Sequence, residues 1–365
     1  MQVTPAELEH RTILRKNLVP DTAAFLDTKI PGSQAKVNYP LIGPGVSENG
    51  EQVVPVSEPH GFNLGGAVMP AGTINNLHLH FTAEVFFCFA GSWTFRWGVD
   101  GADGEATVSD GDVISIPTWI FRGFTSDSDD AWLYTALGRD ESGGLIWAPS
   151  VISAAAKTGM FLGTDHRLIE VEPGTVPENV IQPMTDAELA GLRKVPVDEM
   201  RTRLAQPGDL VWRSDAFLDS GLPGGGAELA LVIGYGVTEH REQAPRLADP
   251  HGFTIAWLRA AGAGQGVNRH RIAEPQVLLV KSGRWRVTLN EKDMVSTELG
   301  PFDTLSVPPG AWRRFECLEP GQLALLTSGD GRQRLDWDPA VVTAAAELDV
   351  QIDANGYRAP AHLIR

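Results

Sequence analysis

The chain has 365 residues, 42% hydrophobic and 21% charged, which suits two globular domains and excludes a mainly disordered chain. Its formal net charge of −16 argues against a nucleic acid or an anionic membrane as partner. Only two cysteines, Cys88 and Cys317, a polar start and no apolar run long enough for a bilayer together lead to the expectation of a cytoplasmic protein without disulfides.

In chain order, the first predicted element is a helix over 5–15, with Thr4 as cap and Pro5 at its first position. Short strands follow at 62–68, 74–80, 84–90, 93–97, 113–117, 121–125 and 132–137. Turns such as VDGADGE and SDGD separate them. At 151–210 the pattern changes. Thr185 and Glu188 form a capping box, Leu189, Leu192, Met200 and Leu204 support one or two short helices, and Pro196 interrupts them. Strands resume at 253–259, 276–281, 285–289, 304–307, 313–317 and 323–327, and a last short helix is predicted at 340–348.

The two strand-rich halves are copies. AFLDTKIPG at 24–32 matches AFLDSGLPG at 216–224, and IGPGVSE at 42–48 matches IGYGVTE at 233–239. Pro59-His60-Gly61-Phe62 matches Pro250-His251-Gly252-Phe253, always at an offset of 191 or 192. A period this long is a duplicated domain rather than a solenoid. The expected organisation is a barrel over 1–150, a partly helical connector over 151–210, a second barrel over 211–340 and a tail over 341–365.

The most specific stretch is GTINNLHLHFTAEVFFCFAG, residues 72–91. His78 and His80 lie one residue apart, so on a strand they share a face. Glu84 meets them if the strand runs on, or from a bend. Two imidazoles and a carboxylate at one spot are the facial ligand set that holds a redox-capable divalent ion with positions left open.

This spacing, Gly72-x5-His78-x-His80-x3-Glu84-x6-Gly91, resembles the first signature motif of the cupin superfamily. The resemblance implies an all-β protein of two cupin jelly-roll barrels joined by the connector. The family's second motif ends in a fourth ligand, His. Here Gly111 and Pro117 match it, but Trp119 replaces a Gly and Arg122 stands in the His position. A guanidinium cannot ligate a cation. In the second half His78, His80, Glu84 and Arg122 correspond to His270, Ile272, Gln276 and Arg313, so that barrel is expected to be metal-free.

Three readings of Arg122 stand open: an ion pair with Glu84, a structural Arg satisfied by carbonyls, or a clamp on a substrate anion. The neutral Gln276 beside Arg313 speaks against the first as a general explanation. His60 and His251 are read as turn or core histidines, with a replacement ligand as the other reading. Phe86, Trp119, Phe121 and Phe124 are candidates to line a pocket.

Two barrels in a chain of this size resemble bicupin ring-cleaving dioxygenases of the gentisate and quercetin type. The resemblance implies one divalent ion per chain, Fe(II) first, with Mn, Ni or Zn also suited. It implies a dioxygenase acting on a small, anionic aromatic or enediol acid, with Arg122 orienting the anion. A non-catalytic binding or sensing bicupin, and an oxygen-independent isomerase or decarboxylase, are the alternatives. A homo-oligomer, at least a dimer, is expected from exposed barrel edges.

Overall fold

The computed structural model describes residues 1–44, 46–249 and 251–364. Gly45 and Pro250, both within the repeated sequence blocks, lie outside the described residues, as does Arg365. The chain forms two compact units, one of Val19–Pro207 and one of Met1–Leu18 with Gly208–Arg365. Among the described residues no helix is long and apolar enough to cross a membrane. Cys88 and Cys317 are both buried, and neither forms a disulfide among the described residues.

The first unit is a barrel of two antiparallel sheets. One orders its strands as Leu204–Ala205, Val113–Ile116, Glu84–Ala90, Ala131–Gly138, Phe62–Met69 and Val37–Ile42. The other runs Ile146–Trp147, Ile74–Leu79, Arg122–Ser126, Ser92–Trp97 and Gly104–Ser109. Glu84–Ala90 is a continuous apolar run because it is an inner strand, buried at every position but the last. Ser92–Trp97 alternates instead. Trp93, Phe95 and Trp97 are buried, while Thr94 and Arg96 face outward. Phe86, Phe95 and Phe124 meet there with ring centroids 4.9–5.2 Å apart, an aromatic core that holds the sheets face to face.

The seven strands expected in this half form with no end shifted by more than one residue. Others were not expected, among them Gly104–Ser109 and Val37–Ile42. Gly104–Ser109 sits at a sheet edge, and its exposed alternate residues read as turn sequence. Val37–Ile42 carries Pro40, which an edge strand tolerates.

Residues 151–207, expected as a connector between barrels, belong to the first unit. The Thr185–Glu188 capping box forms and starts Asp186–Ala190, and Pro196 caps Val197–Thr202. Val195 and Met200 enter the aromatic core, and the Trp97 indole donates to the Val195 carbonyl at 2.8 Å. Leu204–Ala205 then extends the first sheet beside Val113–Ile116. A further helix, Pro149–Lys157, buries Val151 and Ala155.

In the second unit the paired runs expected at 276–289 and 313–327 are single long strands, Gln276–Leu289 and Arg313–Ser328. Their ladder continues through register shifts at Val280, Ser282 and Arg284, so the break in the sequence pattern marks a bend rather than an end. Residues 1–18 were expected in the first barrel and instead complete this unit. Thr12 and Ile13 pair with Leu305 and Thr304, and Val3 and Leu8 join its core. The helix Pro5–Arg11 starts with a Thr4–Glu7 capping box, and Pro339–Glu347 is capped by Asp338.

Candidate metal centre

His78 and His80 stand at the end of Ile74–Leu79 in one sheet, and Glu84 opens Glu84–Ala90 in the other. Residues 81–83 form the bend between them. Glu84 therefore reaches its partners across the corner of the barrel, not along a continuing strand. Ligand atoms of the three side chains lie within 4.8 Å of one another, and all three residues are buried.

Each imidazole is fixed through Nδ1. His78 bonds the Asn76 carbonyl at 2.7 Å, and His80 bonds the Gly144 carbonyl at 3.2 Å. A carbonyl only accepts, so Nδ1 carries the proton and Nε2 the lone pair. The Trp147 ring packs on His78 with centroids 5.3 Å apart and fixes its plane from the side. Burial first, and then the Arg122 guanidinium, holds both imidazoles below their ordinary pKa. For Glu84 burial alone would raise the pKa, but the Arg122 guanidinium holds its carboxyl well below the usual carboxylate range.

Arg122 lies 1% exposed inside the same corner. Its Nε donates to Glu84 Oε2 at 2.8 Å, its Nη2 donates to the same oxygen, and its Nη1 donates to the His78 carbonyl at 3.1 Å. Of the three readings, the ion pair and the carbonyl bond are therefore both present. Three of its five N–H donors are engaged in these bonds, and Arg122 is not among the described residues that line the cavity beside His78, His80 and Glu84. The second barrel shows why Gln276 was a misleading guide. Arg313 donates to Gln276 Oε1 at 3.2 Å and to the Ala311 and Pro308 carbonyls. The same bond forms to a carboxamide oxygen where the first barrel has a carboxylate.

Arg122 fills only one oxygen of Glu84. The other, Oε1, faces His80 Nε2 at 3.4 Å. With Nδ1 protonated, this brings a lone pair against an anionic oxygen, an arrangement that a shared cation relieves. The donor set thus fits a divalent metal through His78 Nε2, His80 Nε2 and Glu84 Oε1. In the second barrel His270 keeps its Nδ1 bond to the Asn268 carbonyl at 2.8 Å and its Trp337 neighbour. Ile272 and Gln276 complete that corner, and among the described residues no second group of potential ligands forms. His60 and His251 lie outside the ligand group, each bonding through Nδ1 the carbonyl two residues before it, at 2.6 Å.

The three ligands open onto a cavity of about 750 Å³, part of it open to solvent. Phe86 and Phe124 line it with Tyr39, Leu64, Leu137 and Trp147. Two other pocket candidates do not. Phe121 packs among Leu26, Leu79 and Trp147 in the core beside Pro149–Lys157. Trp119 is 46% exposed, sits at a left-handed φ of 63°, and packs edge-on against Phe81 with ring centroids 4.9 Å apart.

Sequence reasoning missed Glu48 and Trp147. The Trp147 indole donates to Glu48 Oε1 at 2.7 Å, and the Leu26 amide donates to Oε2 at 2.7 Å. Glu239, Trp337 and Leu218 repeat this in the second unit, with bonds of 2.7 and 2.6 Å. The signal was on the page: Glu48 and Glu239 end the matched IGPGVSE and IGYGVTE blocks.

No family profile and no curated protein sequence matches the chain. Solved structures do. Oxalate decarboxylase from Bacillus subtilis aligns over 93% of this chain and 83% of its own, with a TM-score of 0.52 at 12% identity. A single-substitution variant of that enzyme aligns over 88% and 77%, TM-score 0.52, 12% identity. A variant lacking two residues aligns over 89% and 78%, TM-score 0.51, 12% identity. The chain has the two-barrel cupin fold.

Proposed function

We propose that the first barrel holds one divalent cation on His78, His80 and Glu84 and cleaves a carbon–carbon bond in a small substrate that chelates it through oxygen. The observation that carries this is the pair of Nδ1-anchored imidazoles whose Nε2 atoms meet Glu84 Oε1 inside a cavity. The bound ion would polarise the substrate oxygens as a Lewis acid and, if redox-active, open the way to dioxygen. The chain does the rest. The Asn76 and Gly144 carbonyls set both tautomers, Arg122 turns Glu84 so that one oxygen remains for the ion, and Trp147 holds the His78 ring. Phe86, Phe124 and Leu137 keep water from the reacting atoms.

Dioxygenation and decarboxylation both fall within this reading. The open face of a three-ligand set supports the first, and the fold shared with a decarboxylase supports the second. Fe, Mn, Ni and Zn all accept these ligands; iron is the first to test, because this set serves oxygen chemistry with iron. Metal analysis of the purified protein is expected to give about one ion per chain, and none in His80→Ala. Oxygen uptake and carbon dioxide release on hydroxylated aromatic and enediol acids then decide between the two reactions. A chain that takes up no divalent ion at neutral pH would falsify the proposal.

A further inference from the structure

The cavity that contains the three ligands has a second polar region, built by residues from the first part of the unit. Asp21, Asn38, Ser47 and Gln52 all line it. Asp21 is only 7% exposed. Its Oδ1 accepts from the Ala23 amide and the Asn49 carboxamide, both at 3.1 Å, and its Oδ2 accepts from Ser47 Oγ at 2.9 Å. A carboxylate offers about four acceptor positions, so one remains. Gln52 is oriented by its Nε2, which donates to the Pro44 carbonyl at 3.0 Å. This leaves Gln52 Oε1 buried without a hydrogen-bond partner. A buried acceptor left unpaired is a cost that a ligand donor removes.

Positive charge is missing from the same wall. Among the described residues, no Lys or Arg lines the cavity. The two buried cations of this region are spent elsewhere: Lys36 on Asp27 and Asn75, and Arg122 on Glu84 and the His78 carbonyl. A carboxylate in this region would meet Asp21 with no cation to offset it. A hydroxyl would find acceptors.

From the unpaired Gln52 oxygen and the Asp21 carboxylate, on a wall that brings no Lys or Arg, we infer that the ligand has two chemically different ends: an oxygen chelate for the cation and a distal end that presents hydroxyl donors and no carboxylate to Asp21 and Gln52. This rests on the cation-binding reading above and names the substrate class for it: a hydroxylated, apolar-bodied chelator.

The test uses three catechols that share one chelating head. They are 4-methylcatechol, 4-(hydroxymethyl)catechol and 3,4-dihydroxybenzoate, titrated calorimetrically into the zinc-loaded protein so that no oxidation intervenes. The hydroxymethyl compound is expected to bind at least tenfold more tightly than the benzoate. Gln52→Leu is expected to erase its advantage over the methyl compound, and Asp21→Asn to narrow its lead over the benzoate at least threefold. Equal or tighter binding of the benzoate, an advantage untouched by Gln52→Leu, or no binding of any of the three to zinc-loaded protein overturns the inference. Zinc content is measured first. Failure to load zinc defeats the cation-binding reading itself, whereas loading followed by the wrong order of affinities defeats only the inference about the distal end.

Discussion

Arg122 occupies the position where the resembled motif carries a ligand, and it satisfies one oxygen of the carboxylate that a cation would share. Breaking a buried pair from one side leaves an uncompensated charge, so Arg122→Met is expected to cost the metal-free protein about 3–5 kcal/mol in denaturant unfolding. Divalent ion should restore much of that loss, because it replaces the guanidinium as counter-charge to Glu84. A variant that loses stability and is not rescued by metal would contradict this role. Glu84→Gln should cost less, since the Arg313–Gln276 bond shows the same corner built on a carboxamide. Its metal content should nevertheless fall to near zero. The grouping of His78, His80 and Glu84 was legible because their spacing is a local property of one stretch. The partner of Arg122 was not, because a neutral residue at 276 was taken as unfit for a guanidinium that in fact accepts either side chain.

At the scale of elements, strands were legible wherever one face is buried and the other wet, as in Ser92–Trp97. Elements held by tertiary contacts rather than by their own pattern were missed. Pro149–Lys157 has no side-chain cap and an Ala-rich sequence, and the edge strand Gly104–Ser109 takes its ladder from one neighbour only. The paired Glu48–Trp147 and Glu239–Trp337 contacts tie a loop carboxyl to the tryptophan beside His78 or His270. Burial raises these carboxyls, Glu48 to about 7 and Glu239 to about 8, against the lowering effect of the indole bonds. An acid with a raised folded pKa binds its proton more tightly folded than unfolded. Its contribution is thus fully present below about pH 4.5 and is lost as pH rises towards 7 for Glu48 and 8 for Glu239. Glu239→Gln should flatten that decline. The stability of the variant relative to the native chain should rise between pH 5 and 8 by about 4 kcal/mol, at roughly 1.4 kcal/mol per pH unit of difference. Chemical denaturation at several pH values measures it, and parallel curves for the two proteins would remove Glu239 as the source.

For the whole molecule, duplication explains why the second unit repeats so much of the first. Its His270, Trp337 and Arg313 keep the same bonds although Ile272 and Gln276 stand at the positions of His80 and Glu84. The domain limits were the least legible feature, because the leading residues complete a barrel encoded far downstream. Val3 exchanges two 2.8 Å bonds with Asn290, and Val3 and Leu8 are both buried in that core. Deleting residues 1–18 should therefore destabilise the second unit by about 4 kcal/mol from the burial of those two side chains. It should leave the metal count of the Val19–Pro207 unit unchanged. Thermal unfolding and metal analysis of the truncated protein test the two halves of this expectation together.

That pairing of Thr12 and Ile13 with Leu305 and Thr304 also sets a schedule for biosynthesis. At about 5–20 residues per second, the Thr12–Ile13 segment waits roughly a quarter of a minute to a minute before its partner strand is made. During that interval Val19–Pro207 can close on itself, while the leader stays solvated by Glu7, Glu9, Arg11, Arg15 and Lys16.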